Sequence, residues 1–209
     1  MLDTAKQGFI TLMQTAEFLK NNDNFVILTH QNPDGDTLGS GFGLAMLLNS
    51  MGKTSTVICS DEIPEKYSYF TKFAPQNCDF GKKTTVIAVD VADSKLLGDL
   101  EAEYKDRVEL CIDHHVSNNG YAKLTYLDAS AAANCECIYD LALLLGVNVD
   151  KTMALALYTG ISTDTGCFRF SNTTAKTLRI GANLMVCGIV TAEIKRIMFD
   201  IKSSIREEL

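Results

Sequence analysis

No apolar run in the 209-residue sequence approaches the roughly 18 residues that a membrane-spanning helix needs. The opening segment MLDTAKQGFITLMQTAEFLK lacks the charged start and apolar core of a secretory signal. No Pro/Gly/Ser-rich linker, internal repeat or low-complexity tract divides the chain. Positive charge is also scarce: 19 Lys and Arg against 26 Asp and Glu leave a formal net charge of −7. That balance excludes the diffuse basic surface by which proteins hold long duplex nucleic acid. A small anionic substrate stays open, because a bound metal supplies positive charge locally. The seven cysteines are odd in number and scattered, several inside apolar runs. They fit buried thiols in a reducing compartment rather than a disulfide framework. These absences predict a soluble, cytoplasmic protein with no membrane partner.

What is present is an alternation of strand and helix signals. Residues 4–20 place Phe9, Leu12, Met13, Ala16 and Leu19 on one helical face, with Thr4 and Gln7 spaced as a capping box. Strands are expected at 25–28, 55–59, 84–91 (the strongest, around TTVIAVDV), 110–112 and 122–127. Helices are expected at 39–51, despite three glycines, and at 131–145, 151–162, 173–187 and 191–208. Continuous apolar strands alternating with amphipathic helices imply an α/β fold: a mainly parallel sheet covered on both faces, followed by a mostly helical second half.

The polar residues fall at strand ends. LTHQNPDGDTLGS, residues 28–40, puts His30, Asp34 and Asp36 just after the first strand; Asp90 sits at the end of TTVIAVDV, and Asp113-His114-His115 follows LCI. Alone, His30 reads as a satisfied buried histidine, Asp34 and Asp36 as turn and N-cap residues, and Asp113-His114-His115 as a strand end. Asp90 resists such an explanation, because an acid in an apolar strand must find a partner or shift its pKa. Ligands of parallel sheets bind at the carboxyl edge of the strands. All three histidines of the chain and four of its aspartates converge there, on what is expected to be a solvent-facing rim.

Carboxylates and imidazoles without thiolates suit Mn²⁺, Mg²⁺, Fe²⁺ or Co²⁺ better than a structural zinc. Six or more ligands exceed what one catalytic ion takes while keeping an open position. Two ions about 3.5–4 Å apart would use them all. Asp34 and Asp36 can reach different ions from one loop, and Asp90 is the natural bridge. Cys135-Glu136-Cys137 reads as buried helix residues rather than a metal site, and Gly39-Ser40 as helix packing rather than an anion site.

HQNPDGDTLGS, AVDVAD, DHHVSN and GISTDTGCFRF, in that order along the chain, resemble the four motifs of the DHH phosphoesterase superfamily. They are most similar to its nanoRNase and pAp-phosphatase type. The resemblance implies a Rossmann-like three-layer fold, with His30 and Asp34 on one ion, Asp36, His114 and Asp164 on the other, and Asp90 between them. Asp113 would orient its neighbours and His115 would face the substrate phosphate, as the catalytic pair. Asp164, by itself, reads as a helix-terminal turn. Arg169 reads either as a phosphate clamp or as a surface ion pair. The implied activity is hydrolysis of short oligoribonucleotides or small nucleotides such as 3′-phosphoadenosine 5′-phosphate by water activated between two divalent ions. Mn²⁺ is the expected metal, with Mg²⁺ or Co²⁺ as alternatives, and a homodimer is admitted. A DHH pyrophosphatase, a cyclic-dinucleotide phosphodiesterase, and a non-catalytic nucleotide- or metal-binding regulatory fragment share the same ligands. Family members continue into a smaller domain with a GGGH-like motif. This sequence has no Gly-Gly pair and ends in IKRIMFDIKSSIREEL. We therefore expect residues 1–188 to form the catalytic domain and 189–209 a helical linker toward a substrate-binding domain outside the sequence.

Overall fold

The computed structural model describes residues 8–200. In chain order its elements are α1 (Leu12–Asn21), β1 (Phe25–Leu28), α2 (Gly35–Ser50), β2 (Ser55–Ile58), α3 (Ser68–Thr71), β3 (Thr85–Val89), α4 (Glu101–Tyr104), β4 (Leu110–Asp113) and β5 (Leu124–Leu127). α5 (Asn134–Leu145), α6 (Lys151–Asp164), α7 (Ala175–Val186) and α8 (Thr191–Lys195) follow, with a π turn over Arg196–Asp200. The sheet has the order β2-β1-β3-β4-β5, and every neighbouring pair is parallel. From β1 the chain steps outward to β2 and then returns past β1 to β3. The crossovers therefore diverge between β1 and β3, the kind of switch point outside which α/β sheets bind ligands.

Side chains alternate across a strand, so a run that is apolar at every position must be covered on both faces. Phe25, Ile27, Ile87, Val89, Leu110 and Ile112 join the larger core with α1, α2, α5 and α6. Val26, Leu28, Val86, Ala88 and Cys111 pack on the other face against Leu97, Tyr104 and Val108. Beyond β5 the described chain is helical, so the α/β class, the parallel sheet and the helical second half stand as expected. No helix among the described residues is long and apolar enough to cross a membrane.

Several boundaries differ from the sequence reading. The first helix starts at Leu12, capped by a Thr11–Gln14 box; Thr4 and Gln7 lie outside the described residues. Residues 8–10 pair with β5 instead, because its edge offers free backbone groups: Ile10 N–H donates to Thr125 O at 2.9 Å and Thr125 N–H to Gly8 O at 2.8 Å. β3 stops at Val89 because Asp90 is left-handed (φ 59°) and cannot continue a ladder. α5 begins at Asn134 rather than residue 131. α2 begins at Gly35, four residues early, because Asp34 caps it by accepting from Asp36 N–H and Thr37 N–H. The expected 191–208 helix is helical as far as residue 200, and its remainder lies outside the described residues.

Gly35, Gly39 and Gly43 of α2 face α6, while Gly41 lies against Thr29 and against Val57 and Val89 of the sheet. A Cβ on Gly39 would stand 2.5 Å from Ala156 O and 2.8 Å from Cys135 Sγ. Close approach of these helices brings the start of α2 and the end of α6 to one place. In an open helix, Gly→Ala gains about 1 kcal/mol. Here the clash is with backbone that cannot rotate away, and overpacking costs about 1–3 kcal/mol. The clash wins. Gly39→Ala is expected to lower the midpoint of urea unfolding at unchanged slope, and an equal or raised midpoint would show that α2 and α6 have room to spare.

Candidate metal centre

The elements deliver their polar residues to the carboxyl edge of the sheet. β1 runs into His30 and β3 into Asp90, while β4 closes on Asp113 and is followed by His114 and His115. Asp34 and Asp36 stand at the N-terminus of α2, and Asp164 is the last residue of α6. Thr37 fastens two of these ends together: its Oγ1 accepts from His30 N–H at 3.3 Å and donates to Val89 O at 3.4 Å.

His30 holds the Gln31 carbonyl with Nδ1 at 2.7 Å, and His114 holds that of Ala131 with Nδ1 at 3.1 Å. A carbonyl at Nδ1 fixes the proton there and leaves the Nε2 lone pair for a cation. Nε2 of His30 lies 3.7 Å from Asp34 Oδ1 and 3.8 Å from Asp90 Oδ2. On the other side, Nε2 of His114 lies 3.5 Å from Asp90 Oδ1, 3.5 Å from Asp164 Oδ2 and 3.7 Å from Asp36 Oδ2. These gaps are too long for strong hydrogen bonds. His114 Nε2 and Asp90 Oδ1 are in fact buried without any hydrogen-bond partner, which buried polar atoms rarely are. Donors held about 2.1 Å from one cation stand ~3–4 Å apart. The donor atoms gather as His30/Asp34/Asp90, Asp36/His114/Asp164 and Asp90/His114/His115. The first two meet at Asp90, whose two oxygens face opposite ways. The residues present fit divalent cations.

Charge is stored here. Burial, and then the carboxylates of Asp36, Asp34, Asp164 and Asp113, push Asp90 well above the usual range. Burial raises Asp36 to about 6 despite three stabilising bonds from Cys135 and Asn134. Asp164 rises to about 8 through burial and the charges of Asp36 and Asp34, partly offset by His114 and His115. Burial also opposes charge on Asp34 and His30, yet their contact, with backbone bonds, lowers the one and raises the other.

Asp113 works differently. Burial opposes its charge, but its Oδ1 accepts from His114 N–H, His115 N–H and His115 Nδ1, and its Oδ2 from Asn118 Nδ2 at 2.7 Å, which holds it ionised. The Asp113 bond is the largest influence raising His115. His115, with its side chain 43% exposed, keeps Nε2 for solvent or substrate. Arg169 belongs to none of the three donor groups. It is exposed on the loop after Asp164, with Nε bonded to Gly166 O at 2.7 Å. Among the described residues no carboxylate lies within 4 Å of it.

One expectation is corrected. Asp36 is not on a solvent-facing rim but wholly buried. α5 has no side-chain cap of its own, and Asp36 supplies one from α2, accepting from Asn134 N–H at 2.6 Å and Cys135 N–H at 3.0 Å. Removing it therefore uncaps a helix as well as deleting a donor. His114, also expected on the rim, has its side chain only 11% exposed. The sequence reading assigned nothing to Asn118, although it closes the DHHVSN motif, nor to Asn172, whose amide bridges Ala132 O and Asp164 O at 3.1 Å each. Gly39 and Ser40 pack against α6 and Cys135, as expected, and Cys135 and Cys137 are buried free thiols.

A carboxylate whose folded pKa is raised binds more protons folded than unfolded, so stability falls as pH climbs from about 4 through the folded value. Asp36, Asp90 and Asp164 all act in this direction, as do His30 and His115, whose raised pKa values favour the folded state below about 6.5. In EDTA, melts between pH 5 and pH 8 should give a midpoint that declines with pH, and Mn²⁺ should raise it more at pH 8 than at pH 5. A midpoint rising with pH in EDTA would contradict the clustering of these acids.

The chain matches the family model "DHH family, N-terminal domain" over residues 24–161. It is 34% identical over 187 residues to the bifunctional oligoribonuclease and PAP phosphatase NrnA of Thermus thermophilus, covering 86% of this chain and 55% of that protein. With the probable bifunctional oligoribonuclease and PAP phosphatase NrnA of Streptococcus mutans it shares 30% over 167 residues, 80% of this chain and 54% of the other. An exopolyphosphatase-related protein of Bacteroides fragilis superposes with a TM-score of 0.83 at 22% identity, over 94% of this chain and 62% of that one. The chain spans about half the length of the curated relatives it matches. On the family match and the shared architecture, the chain belongs to the DHH family and carries its N-terminal domain.

Proposed function

We propose that this chain hydrolyses phosphoester bonds of short oligoribonucleotides or of small nucleotides such as 3′-phosphoadenosine 5′-phosphate, with two divalent ions, Mn²⁺ foremost, as cofactors. The observation that carries the reading is the buried Asp90 carboxylate between the His30/Asp34 and Asp36/His114/Asp164 groups, its Oδ2 3.8 Å from His30 Nε2 and its Oδ1 3.5 Å from His114 Nε2. The relatives named as oligoribonuclease and PAP phosphatase support the substrate class. Under this reading residues 1–188 are the catalytic part and 189–209 lead toward a substrate-binding part, in keeping with the greater length of those relatives.

His30 and Asp34 would hold one ion, Asp36, His114 and Asp164 the other, and Asp90 both. Ions so bound supply Lewis acidity, bringing the pKa of water from 15.7 to about 7 and neutralising phosphoryl oxygens. The remaining work falls to the chain's own residues. Asp113, held ionised by Asn118 and the backbone, accepts from His115 Nδ1–H and stabilises the ring as a cation, so that Nε2–H can donate its proton to a phosphoryl oxygen or a departing alkoxide. Asn118 and Asn172 act through others: the first fixes Asp113, the second the backbone at Asp164.

The test is hydrolysis of bis-p-nitrophenyl phosphate by the full chain with Mn²⁺. EDTA should abolish turnover. His114→Ala should lower it by orders of magnitude with an unchanged circular dichroism spectrum, and Asn118→Ala, which only loosens Asp113, by about 10–100-fold. Full turnover by His114→Ala would overturn the ligand set. Stoichiometric Mn²⁺ binding without any turnover by the wild-type chain would favour a regulatory metal-binding role instead.

A further inference from the structure

The loop that follows Asp164 has an unusual backbone. Gly166, Cys167 and Phe168 are left-handed in succession, with φ of 53°, 60° and 63°, and only glycine adopts that region freely. The turn is firmly held. Cys167 N–H donates to Ser162 O at 2.7 Å and Phe168 N–H to Thr165 Oγ1 at 3.0 Å. The Phe168 ring packs against Tyr158 at 5.6 Å, tilted by 51°, and Phe170 lies over Gly166. Strain that the surroundings over-determine is characteristic of functional loops. What this turn does is aim Cys167 and Arg169 into a cleft of about 320 Å³ whose other wall is Lys195 and Phe199.

The cleft carries two cations with no ion pair among the described residues. Nε of Arg169 is spent on Gly166 O, which leaves the two terminal nitrogens of its fork without a hydrogen bond among the described residues. Lys195 likewise has no carboxylate within 4 Å among the described residues. Phe199 is 42% exposed beside them. In a chain of net charge −7, two cations without an ion pair among the described residues, beside an exposed aromatic ring, match one kind of ligand. A phosphate suits the Arg fork and the ammonium, and an attached base can stack on the ring. The volume lies at the small end of ligand pockets, enough for part of a nucleotide.

The geometry points to a subsite for the phosphate of a nucleotide substrate that is not hydrolysed, with Arg169 and Lys195 as its cationic clasp and Phe199 as the face for its base. This rests on the phosphoesterase reading and extends it: the chain would bind the second phosphate of a nucleoside bisphosphate, or the next linkage of an oligonucleotide, with residues of its own. Arg169 and Lys195 are positioned for binding, not for bond cleavage.

Calorimetric titration of the Mn²⁺-loaded full chain tests it, with adenosine 5′-monophosphate as the probe and adenosine for comparison. Arg169→Ala and Lys195→Ala should each weaken binding of the monophosphate by about 10-fold or more, the loss of one charge-assisted bond. Adenosine should bind these variants as it binds the wild type. Phe199→Ala should weaken both ligands. Lys195 is exposed and has no hydrogen bond among the described residues, so its variant carries the test if Arg169→Ala unfolds. Dissociation constants within twofold of wild type in both charge variants, or no binding by the wild type, would overturn the subsite. Failure of the subsite is distinguishable from failure of the activity. Wild-type turnover of bis-p-nitrophenyl phosphate with charge-independent nucleotide binding sinks only the subsite. Charge-dependent binding without any turnover sinks only the hydrolase.

Discussion

The structure depends on how it accommodates acids that it buries together. Asp36, Asp90 and Asp113 are closed off from solvent, and Asp34 and Asp164 stand beside them at the same sheet edge. Removing a carboxylate from water costs several kcal/mol even after relaxation. Among the described residues no lysine or arginine forms an ion pair with any of the five; their contacts are with imidazoles and amides. Asp113 is held ionised by the chain itself, through three backbone and imidazole bonds and one from Asn118, and Asp34 by His30 and two amides of α2. For Asp36, Asp90 and Asp164, positive charge has to come from protons or from bound cations, which is why their pKa values stand high.

The fold and the site are built by the same contacts. Gly35, Gly39 and Gly43 let α6 approach the α2 helix that carries Asp36, and that approach brings Asp164 to the same place. Asp36 in turn caps α5, so a residue of the candidate metal centre completes a helix that has no side-chain cap of its own. Asp90 reaches inward by leaving β3 in a left-handed conformation that ends the strand. A change to any of these residues alters architecture and chemistry together.

Much of this was legible in the sequence because it follows from simple periodicity. TTVIAVDV is apolar on both faces, so its strand had to lie between two layers, and the acid at its end had to emerge at the carboxyl edge. DHH and HQNPDGD sit at corresponding points after other strands. What stayed illegible was set by contacts distant in sequence. The burial of Asp36 depends on amides 98 and 99 positions away. The start of α1 was misplaced because residues 8–10 pair with β5, a partner that helical periodicity does not reveal. Asn118 and Asn172 carry no apolar pattern and gain meaning only from the acids they hold. The left-handed run at residues 166–168 could be suspected at Gly166 but not at Cys167 or Phe168.

The central claim is that Asp90 lies between two divalent cations. Anomalous diffraction from crystals of the full chain grown with Mn²⁺ reads this directly. The account predicts two manganese peaks about 3.5–4 Å apart, one beside His30 and Asp34, the other beside Asp36, His114 and Asp164, with an oxygen of Asp90 toward each. A single peak, or none at this edge of the sheet, would contradict it.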